Sequence, residues 1–410
     1  MIKFKNSKTV PLIQYIMFTI LVVATPFVVV TKYLQGAVHL VSHLKWTLFG
    51  IEIPIIGSLV LFGFIGFLIW QRHHFRTRRV IAALVIVGMV AISYKVQDLY
   101  GQMSLYDLQK NWHYIAYCCY TFIFFRAFHV RGVSKSKMIL LSFFTAIALS
   151  LFDEAFQFKM SHRVFDISDI AKDSWGSLMG LVLVLFVSET YGRIKVRAHS
   201  FWQKRLIDYT RNPLSAFTVT GTFSFVAVMV SPLMTDERFI GTLSLLILGV
   251  FFVVMTLVHF AQYKPVRMAY LAVASLLVLG LGTSFVIHRN DNITRCDYGL
   301  VVYKGLPIPY FDVMIYPDGL PRLVDKKHFF NGQDRQFFMK QKTDIVLVGG
   351  GHKGLGGKGW KVENGSYFQF NEYNMQGTQV IVLPTSSAWK VFNRLKEEGK
   401  NVLFVIHSTC

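Results

Sequence analysis

The stretch Ile240–Phe260, IGTLSLLILGVFFVVMTLVHF, decides the class of this protein. It contains no Asp, Glu, Lys or Arg. A helix needs roughly 20 residues to cross the hydrocarbon core of a bilayer. Because a helix also satisfies all of its own backbone hydrogen bonds, such a run predicts a transmembrane span.

Similar apolar runs fill the chain up to about residue 287. Only 16% of the 410 residues are charged and 53% are hydrophobic, and the mean hydropathy of +0.43 is too high for an ordinary soluble protein. We predict nine spans, namely Leu12–Thr31, Ile51–Trp70, Val80–Tyr94, Trp112–Phe128, Met138–Phe156, Ser174–Thr190, Pro213–Met234, Ile240–Phe260 and Val266–Ile287.

The predicted fold class is therefore a polytopic all-α membrane bundle of about nine helices, followed by a small soluble α/β domain. Four parts are expected. Residues 1–79 carry N-terminal membrane helices, 80–192 form a central membrane domain, 193–288 add three helices, and 289–410 form the soluble domain.

The distribution of Lys and Arg orients the predicted spans. Cations are concentrated in alternate loops, which the positive-inside rule places in the cytoplasm. This predicts a multi-pass protein with a cytoplasmic N-terminus and an extracytoplasmic C-terminal domain. The net charge is +20, but most Lys and Arg reside in these loops and not along a basic soluble surface, so nucleic-acid binding is not expected.

Two sets of polar side chains stand at the outer ends of predicted spans. Lys110, His113 and Tyr117 share one helix face, and so do Glu154 and Gln157. Under the predicted topology both sets lie at the outer membrane surface. Ionisable residues in membrane spans are costly and usually functional, so we favour a functional role for them.

Arg163 and Asp169 follow in the loop before the next predicted span. Because a guanidinium offers a rigid fork of donors, we expect Arg163 to bind a phosphate or carboxylate, facing Glu154 and within reach of His113. Lys110 adds a second positive charge. Glu154 either orients Arg163 or acts as a base, with His113 as its proton partner.

A simpler interpretation remains beside this one. Glu154 then pairs with Arg163 only to fix the loop, and the neighbouring acids are solvated; for Asp166 and Asp173 alone we favour that interpretation. A less favoured alternative is a Mg²⁺ or Ca²⁺ site, so the prediction includes no metal and no cofactor. Its ligands would be His162, Asp166, Asp169 and Glu154.

The order and spacing of these residues resemble the VanZ-like membrane family over about residues 80–190. The motifs are Lys110-x-x-His113-x-x-x-Tyr117, Asp153-Glu154-x-x-Gln157, Arg163, Asp166-x-x-Asp169 and Gly176-x-x-x-Gly180. The two glycines have the spacing that permits close helix approach. Asp173 stands where the family often has Asn.

The resemblance implies a bacterial cell-envelope protein of the cytoplasmic membrane. The family takes its name from a determinant of teicoplanin resistance, which connects the chain with glycopeptide resistance. We expect the site to bind or modify an anionic or polyprenyl headgroup, of a membrane lipid or a lipid-linked envelope precursor. The predicted catalytic residues are Glu154, His113 and Asp169, and the predicted ligand-binding residues are Arg163, Lys110, Gln157 and Tyr117.

The C-terminal part alternates strand and helix patterns. An amphipathic helix is predicted over Ser386–Glu398, with Thr385 or Ser386 as its N-cap and Gly399 as its C-cap. The predicted strands are Leu300–Tyr303, Phe311–Tyr316, Ile345–Val348, Val380–Leu383 and Val402–Ile406.

A glycine-rich run, Gly349–Gly359, follows one of these strands and formally contains G-x-G-x-x-G. The residues after it are too rich in glycine to start a helix, and Lys358 is followed by Gly359 where a Walker A motif needs Ser or Thr. We therefore predict a loop with positive φ angles that binds no nucleotide.

The four cysteines fall into two pairs. Cys118 and Cys119 lie in an apolar run, where they are expected to pack. Cys296 and Cys410 bracket the soluble domain. If its first and last strands are neighbours, these two thiols approach disulfide range, roughly 4.4–6.8 Å between Cα atoms; two unrelated free thiols are the alternative.

The soluble part also resembles a small α/β domain family that includes an assembly factor of mitochondrial complex I. The matching segments are Tyr310–Gly319, His328, Asp344–Gly351 and Thr385–Lys400, with a longer glycine run than the family usually has. The resemblance implies a fold more than an activity. It leaves a second function class open, a non-enzymatic membrane scaffold or assembly factor whose soluble domain docks a protein partner.

Overall fold

A computed structural model describes most of the chain. The described residues are 9–29, 44–48, 51–55, 58, 62, 66, 77–96, 108–157, 165–188, 191, 194, 202–234, 239–326, 328–330, 332–341, 343–359, 367–370 and 378–409. They form two compact units. The first holds the described residues up to Met229 together with Ser244–His259, and the second holds Val230–Leu243 and the described residues from Phe260 onward.

The first unit is helical. Its helices are α1 Thr9–Val29, α2 Thr77–Val96, α3 Leu108–His129, α4 Lys135–Gln157, α5 Ile167–Val182, α6 Asp208–Arg211 and α7 Pro213–Val230, and α8 Ile240–Phe260 contributes its larger part. Helix α5 continues as a π-helical turn, Leu183–Ser188. An antiparallel hairpin joins β1 Lys45–Leu48 to β2 Ile51–Pro54.

Among the described residues, six helices are long and apolar enough to cross a membrane, which indicates a membrane-embedded protein. The predicted number of nine is not confirmed. The prediction for Ile51–Trp70 is wrong at its start, where Ile51–Pro54 pairs with Lys45–Leu48 as a strand. Most of the remainder of that predicted span lies outside the described residues. The six spans are Thr77–Val96, Lys135–Phe156, Ile167–Ser188, Pro213–Leu233, Ile240–Phe260 and Lys264–His288.

Helix α5 is buried along most of its length and packs closely on α3. A Cβ on Gly176 would lie 2.8 Å from the backbone oxygen of Tyr114, and a Cβ on Gly180 would lie 2.7 Å from that of Cys118. The predicted close approach at Gly176-x-x-x-Gly180 is confirmed. It brings polar groups of α3 and α5 within hydrogen-bond range, because only glycine leaves room for the facing backbone.

The second unit contains α9 Lys264–His288 and an α/β domain. Its strands are β3 Ile293–Asp297, β4 Leu300–Tyr303, β5 Leu306–Pro309, β6 Asp312–Ile315, β7 Pro321–Val324, β8 Ile345–Gly349, β9 Tyr367–Phe370, β10 Thr378–Leu383 and β11 Val402–Ile406. Its helices are α10 Gly332–Lys340 and α11 Thr385–Glu397. A six-stranded sheet has the order β7-β6-β11-β8-β10-β9, and a three-stranded sheet has the order β3-β4-β5.

The six-stranded sheet is covered on both faces. Along β8, Val346 and Val348 pack with Phe338 of α10, whereas Leu347 packs on the opposite face with Phe392 of α11. Alternation of this kind follows from the two-residue period of a strand. The central strands are parallel and apolar on both faces, as a doubly covered sheet requires.

All five predicted strands and the predicted helix are confirmed to within a few residues. The predicted N-cap is wrong: Pro384 occupies that position, and the hydroxyl of Thr385 donates instead to the backbone oxygen of His407. The first and last strands are also not neighbours, since β3 and β11 belong to different sheets. Cys410, and with it the predicted disulfide, lies outside the described residues.

Candidate functional site

The predicted site residues fall into two groups in the structure. His113, Tyr117, Glu154 and Asp169 are fully described. Lys110 lies on α3 and Gln157 on α4, but their side chains are outside the described part of the chain, as is the whole of Arg163. The predicted contact of Arg163 with Glu154 and His113 therefore remains a prediction.

Three helices bring the described residues to one end of the helical unit. His113 is near the start of α3, Glu154 near the end of α4 and Asp169 near the start of α5. Since α4 carries Glu154 near its last turn and the other two carry theirs near the first turn, all three side chains reach the same level. The central contact is between His113 Nδ1 and Asp173 Oδ1, at 2.8 Å.

Asp173 is the residue that the sequence interpretation missed. Its side chain is 2% exposed, and Ser150 Oγ of α4 donates to its Oδ2 at 2.6 Å. The expectation of a solvated Asp173 is wrong, because α3 and α4 enclose it. The spacing of four residues from Asp169 placed it on the same face of α5, and this was the available signal.

The polar cluster around His113 and Asp173 has a more exposed side, which Asp169 and Lys172 form. Lys172 Nζ donates to Asp169 Oδ1 at 2.6 Å, and His113 Nε2 lies 3.8 Å from Asp169 Oδ2. The side chains of Asp169 and His113 are 26% and 21% exposed, so a ligand can reach them. The sequence interpretation did not assign Lys172 to the site.

Glu154 contacts the backbone at the start of α5. Its side chain is 2% exposed, and its Oε2 accepts the backbone N–H of Asp166 at 2.9 Å. Asp166 is the N-cap of α5, since its Oδ1 accepts the backbone N–H of Ser168 at 2.7 Å. Asp166 is thus structural and not merely solvated, and Glu154 fixes the entry into α5 at the margin of the cluster.

Two tyrosines of α3 line the buried side of this polar cluster. Tyr117 is 4% exposed and faces Ser150 and Asp173. Tyr114 faces Lys172 and Ser93.

The arrangement has the parts of an acid–base centre. Asp173 holds His113 through Nδ1, which directs Nε2 toward the exposed side beside Asp169 and Lys172. An imidazole oriented by a buried carboxylate can accept a proton at its other nitrogen. Groups of three or more His, Cys, Asp and Glu arranged for a metal ion are not found among the described residues, and His162 lies outside them.

The soluble domain contains a separate buried charged cluster. Lys326 Nζ donates to Asp312 Oδ1 at 2.9 Å and to Thr409 Oγ1 at 2.9 Å, with side-chain exposures of 1% and 4% for Lys326 and Asp312. His407 Nδ1 contacts the other oxygen of Asp312, and the His407 ring lies 4.8 Å from that of His328. These partners join β6 to the residues after β11.

The glycine run lies beside this cluster, at the carboxyl ends of the parallel strands. Gly351, Gly354, Gly357 and Gly359 have φ values of 87°, 67°, 74° and 106°, which confirms the predicted left-handed loop. The backbone N–H of Gly351 is taken by Thr385 Oγ1 at 2.9 Å. The predicted lack of nucleotide binding remains a prediction.

The comparisons with known proteins leave the family open. No family model matches the chain, and no curated protein matches it. A solved structure named "MT938" aligns with 29% of this chain and 98% of its own length, at 21% identity and a TM-score of 0.23. A likeness at this TM-score carries no argument about fold or function.

Proposed function

We propose that this chain is a bacterial cell-envelope membrane protein that binds an anionic polyprenyl-type headgroup at the outer leaflet and exchanges a proton with it through His113. The observation that carries the proposal is the pair of His113 and Asp173. One nitrogen of the imidazole is held by a buried carboxylate, and the other faces the open side of the cluster.

Charge and access support the choice of ligand. Lys172 places an ammonium group beside His113 and Asp169, and the sequence adds Lys110, three residues before His113, and Arg163, between Glu154 and Asp166. Phosphate and carboxylate oxygens suit such a group of donors.

The cost of the cluster favours a function over simple anchoring. Burying a charged pair away from water is unfavourable unless geometry and hydrogen bonds compensate, and ionisable groups within membrane helices are usually functional. A helical bundle that only anchored the protein could carry apolar side chains at positions 173 and 154. Asp173 and Glu154 stand there instead, and both are 2% exposed.

The test measures binding of decaprenyl phosphate to the full chain in lipid nanodiscs. We expect His113→Gln and Lys172→Met each to weaken binding by about tenfold or more, on the order of one lost charged hydrogen bond. His129→Gln, at the other end of α3, is the matched control and should bind like wild type. If wild type and His113→Gln bind equally, the scaffold interpretation takes the place of this proposal.

A further inference from the structure

Helix α9 has almost no length to spare as a membrane span. The segment Met268–Ile287 contains no Asp, Glu, Lys or Arg. At 1.5 Å per residue these 20 residues span about 30 Å, which is the thickness of the hydrocarbon core. A segment of this length fills the hydrocarbon core, so Ser284, three residues from its end, lies near the boundary of the apolar region.

A turn of the soluble domain contacts α9 at the level of Ser284. Ser284 Oγ donates to the backbone oxygen of Gly305 at 2.7 Å. Gly305 is at the tip of the β4–β5 hairpin with φ 73°, and a Cβ added to it would lie 2.6 Å from the backbone oxygen of Ser284. The hairpin tip is thus packed on α9 three residues, about 4.5 Å, before the end of the apolar segment.

A second turn lies beside the tip. Tyr303 Oη donates to the backbone oxygen of Gly319 at 2.9 Å, and a Cβ on Gly319 would lie 3.1 Å from Lys304 Nζ. Leu320 follows, with 64% of its surface exposed. An exposed leucine and a lysine therefore stand together beside the part of α9 that enters the bilayer.

We infer that these two turns, Lys304–Gly305 and Pro317–Leu320, form a lipid-contacting surface that seats the soluble domain on the bilayer. Leu320 enters the interfacial region, and Lys304 contacts lipid phosphates. Lysine suits this position because its ammonium group reaches the headgroups while its aliphatic part lies along the apolar boundary. The surface is continuous with the membrane span, and the inference does not depend on the proposed headgroup site.

The test places a reporter at Leu320. Full-length protein with its four cysteines replaced by alanine and Leu320→Cys is labelled with an environment-sensitive fluorophore and reconstituted into vesicles containing spin-labelled lipids. We expect strong quenching at position 320. The control is Leu355→Cys, 50% exposed in the glycine loop, whose neighbour Gly356 packs on His407; its label should be quenched at least threefold less. Equal quenching at the two positions, or none at 320, would overturn the inference.

The charge of Lys304 is tested separately, and its acylation is measured without replacing the native cysteines. In vesicles that contain anionic lipid, Lys304 of the wild-type chain should react with an amine-acylating reagent several-fold more slowly than in detergent. In zwitterionic vesicles Lys304→Glu should leave quenching at position 320 unchanged, and in anionic vesicles it should reduce that quenching. Equal acylation in vesicles and detergent would contradict contact of Lys304 with the lipid surface.

Discussion

Sixty residues separate His113 from Asp173, and a 2.8 Å hydrogen bond between Nδ1 and Oδ1 joins their side chains. The bond exists because α3 and α5 approach closely at Gly176, three residues after Asp173. Ser150 of α4 contacts the other carboxylate oxygen at 2.6 Å. One acid thereby links the three helices that form the candidate site.

Removing that acid should destabilise the helical unit. Asp173→Ala leaves His113 Nδ1 and Ser150 Oγ without this acceptor, and an unpaired buried polar group costs about 1–3 kcal/mol. Unfolding of the purified full chain in detergent measures the change. Asp208→Ala is the control, because its 3.5 Å pair with Arg211 is on the surface and such pairs contribute about 0–1 kcal/mol. Equal losses of unfolding free energy in the two variants would contradict the role of Asp173 as a buried acceptor.

The close approach of α3 and α5 at Gly180 gives a second prediction. Gly180→Ala forces a Cβ to within 2.7 Å of the Cys118 backbone oxygen, so α3 and α5 must separate. We expect the free energy of unfolding to fall by about 1–3 kcal/mol, as it does for other overpacked interiors. Gly88→Ala on α2, where an added Cβ meets nothing within 4 Å, should be neutral or slightly stabilising. A neutral Gly180→Ala variant would show that the helices are not so close.

The buried pair of the soluble domain should be sensitive to one-sided removal. Lys326→Met leaves Asp312 as a buried charge without its main partner, which costs about 3–5 kcal/mol. The double variant Lys326→Met, Asp312→Leu should recover part of that loss, since no charge is then left uncompensated. Pulse proteolysis of the full chain measures both, and Lys390→Met on the exposed face of α11 is the control. A double variant less stable than the single one would refute this account.

Cys296 should resist modification in the folded protein. It is 7% exposed, and burial, with a smaller effect of Asp297, raises the pKa of its thiol to about 11. Because the thiolate is the reactive form, alkylation of Cys296 should rise roughly tenfold for each pH unit up to that pKa. Peptide mass spectrometry after iodoacetamide treatment measures this. Complete modification at pH 7.5 without denaturant would contradict it.

The predicted topology has its own test. A cytoplasmic N-terminus with the soluble domain outside predicts that alkaline phosphatase fused to the C-terminus is active and that a fluorescent protein in the same place is dark. The distribution of Lys and Arg is the reason. The reverse pattern would overturn the topology.

Several elements could be predicted from local sequence. The apolar runs of α8 and α9 show their length and lack of charge directly, and β8 and β11 are continuous apolar strands. The hairpin at Ile51–Pro54 was missed because an apolar run of strand length is indistinguishable from the start of a helix by composition. Gly176 and Gly180 were recognised by their spacing, since close helix packing depends on residue size at neighbouring turns.

The sequence by itself thus determined a membrane-embedded helical part, a C-terminal α/β domain and one polar face on each of α3 and α4. Only the tertiary structure decided that Asp173 is the partner of His113, that Lys172 belongs to the site and that Glu154 holds the start of α5. The physical reason is the distance along the chain over which each signal acts. Hydropathy and helical spacing act within a few residues, whereas a carboxylate's exposure and partners depend on which helices pack around it.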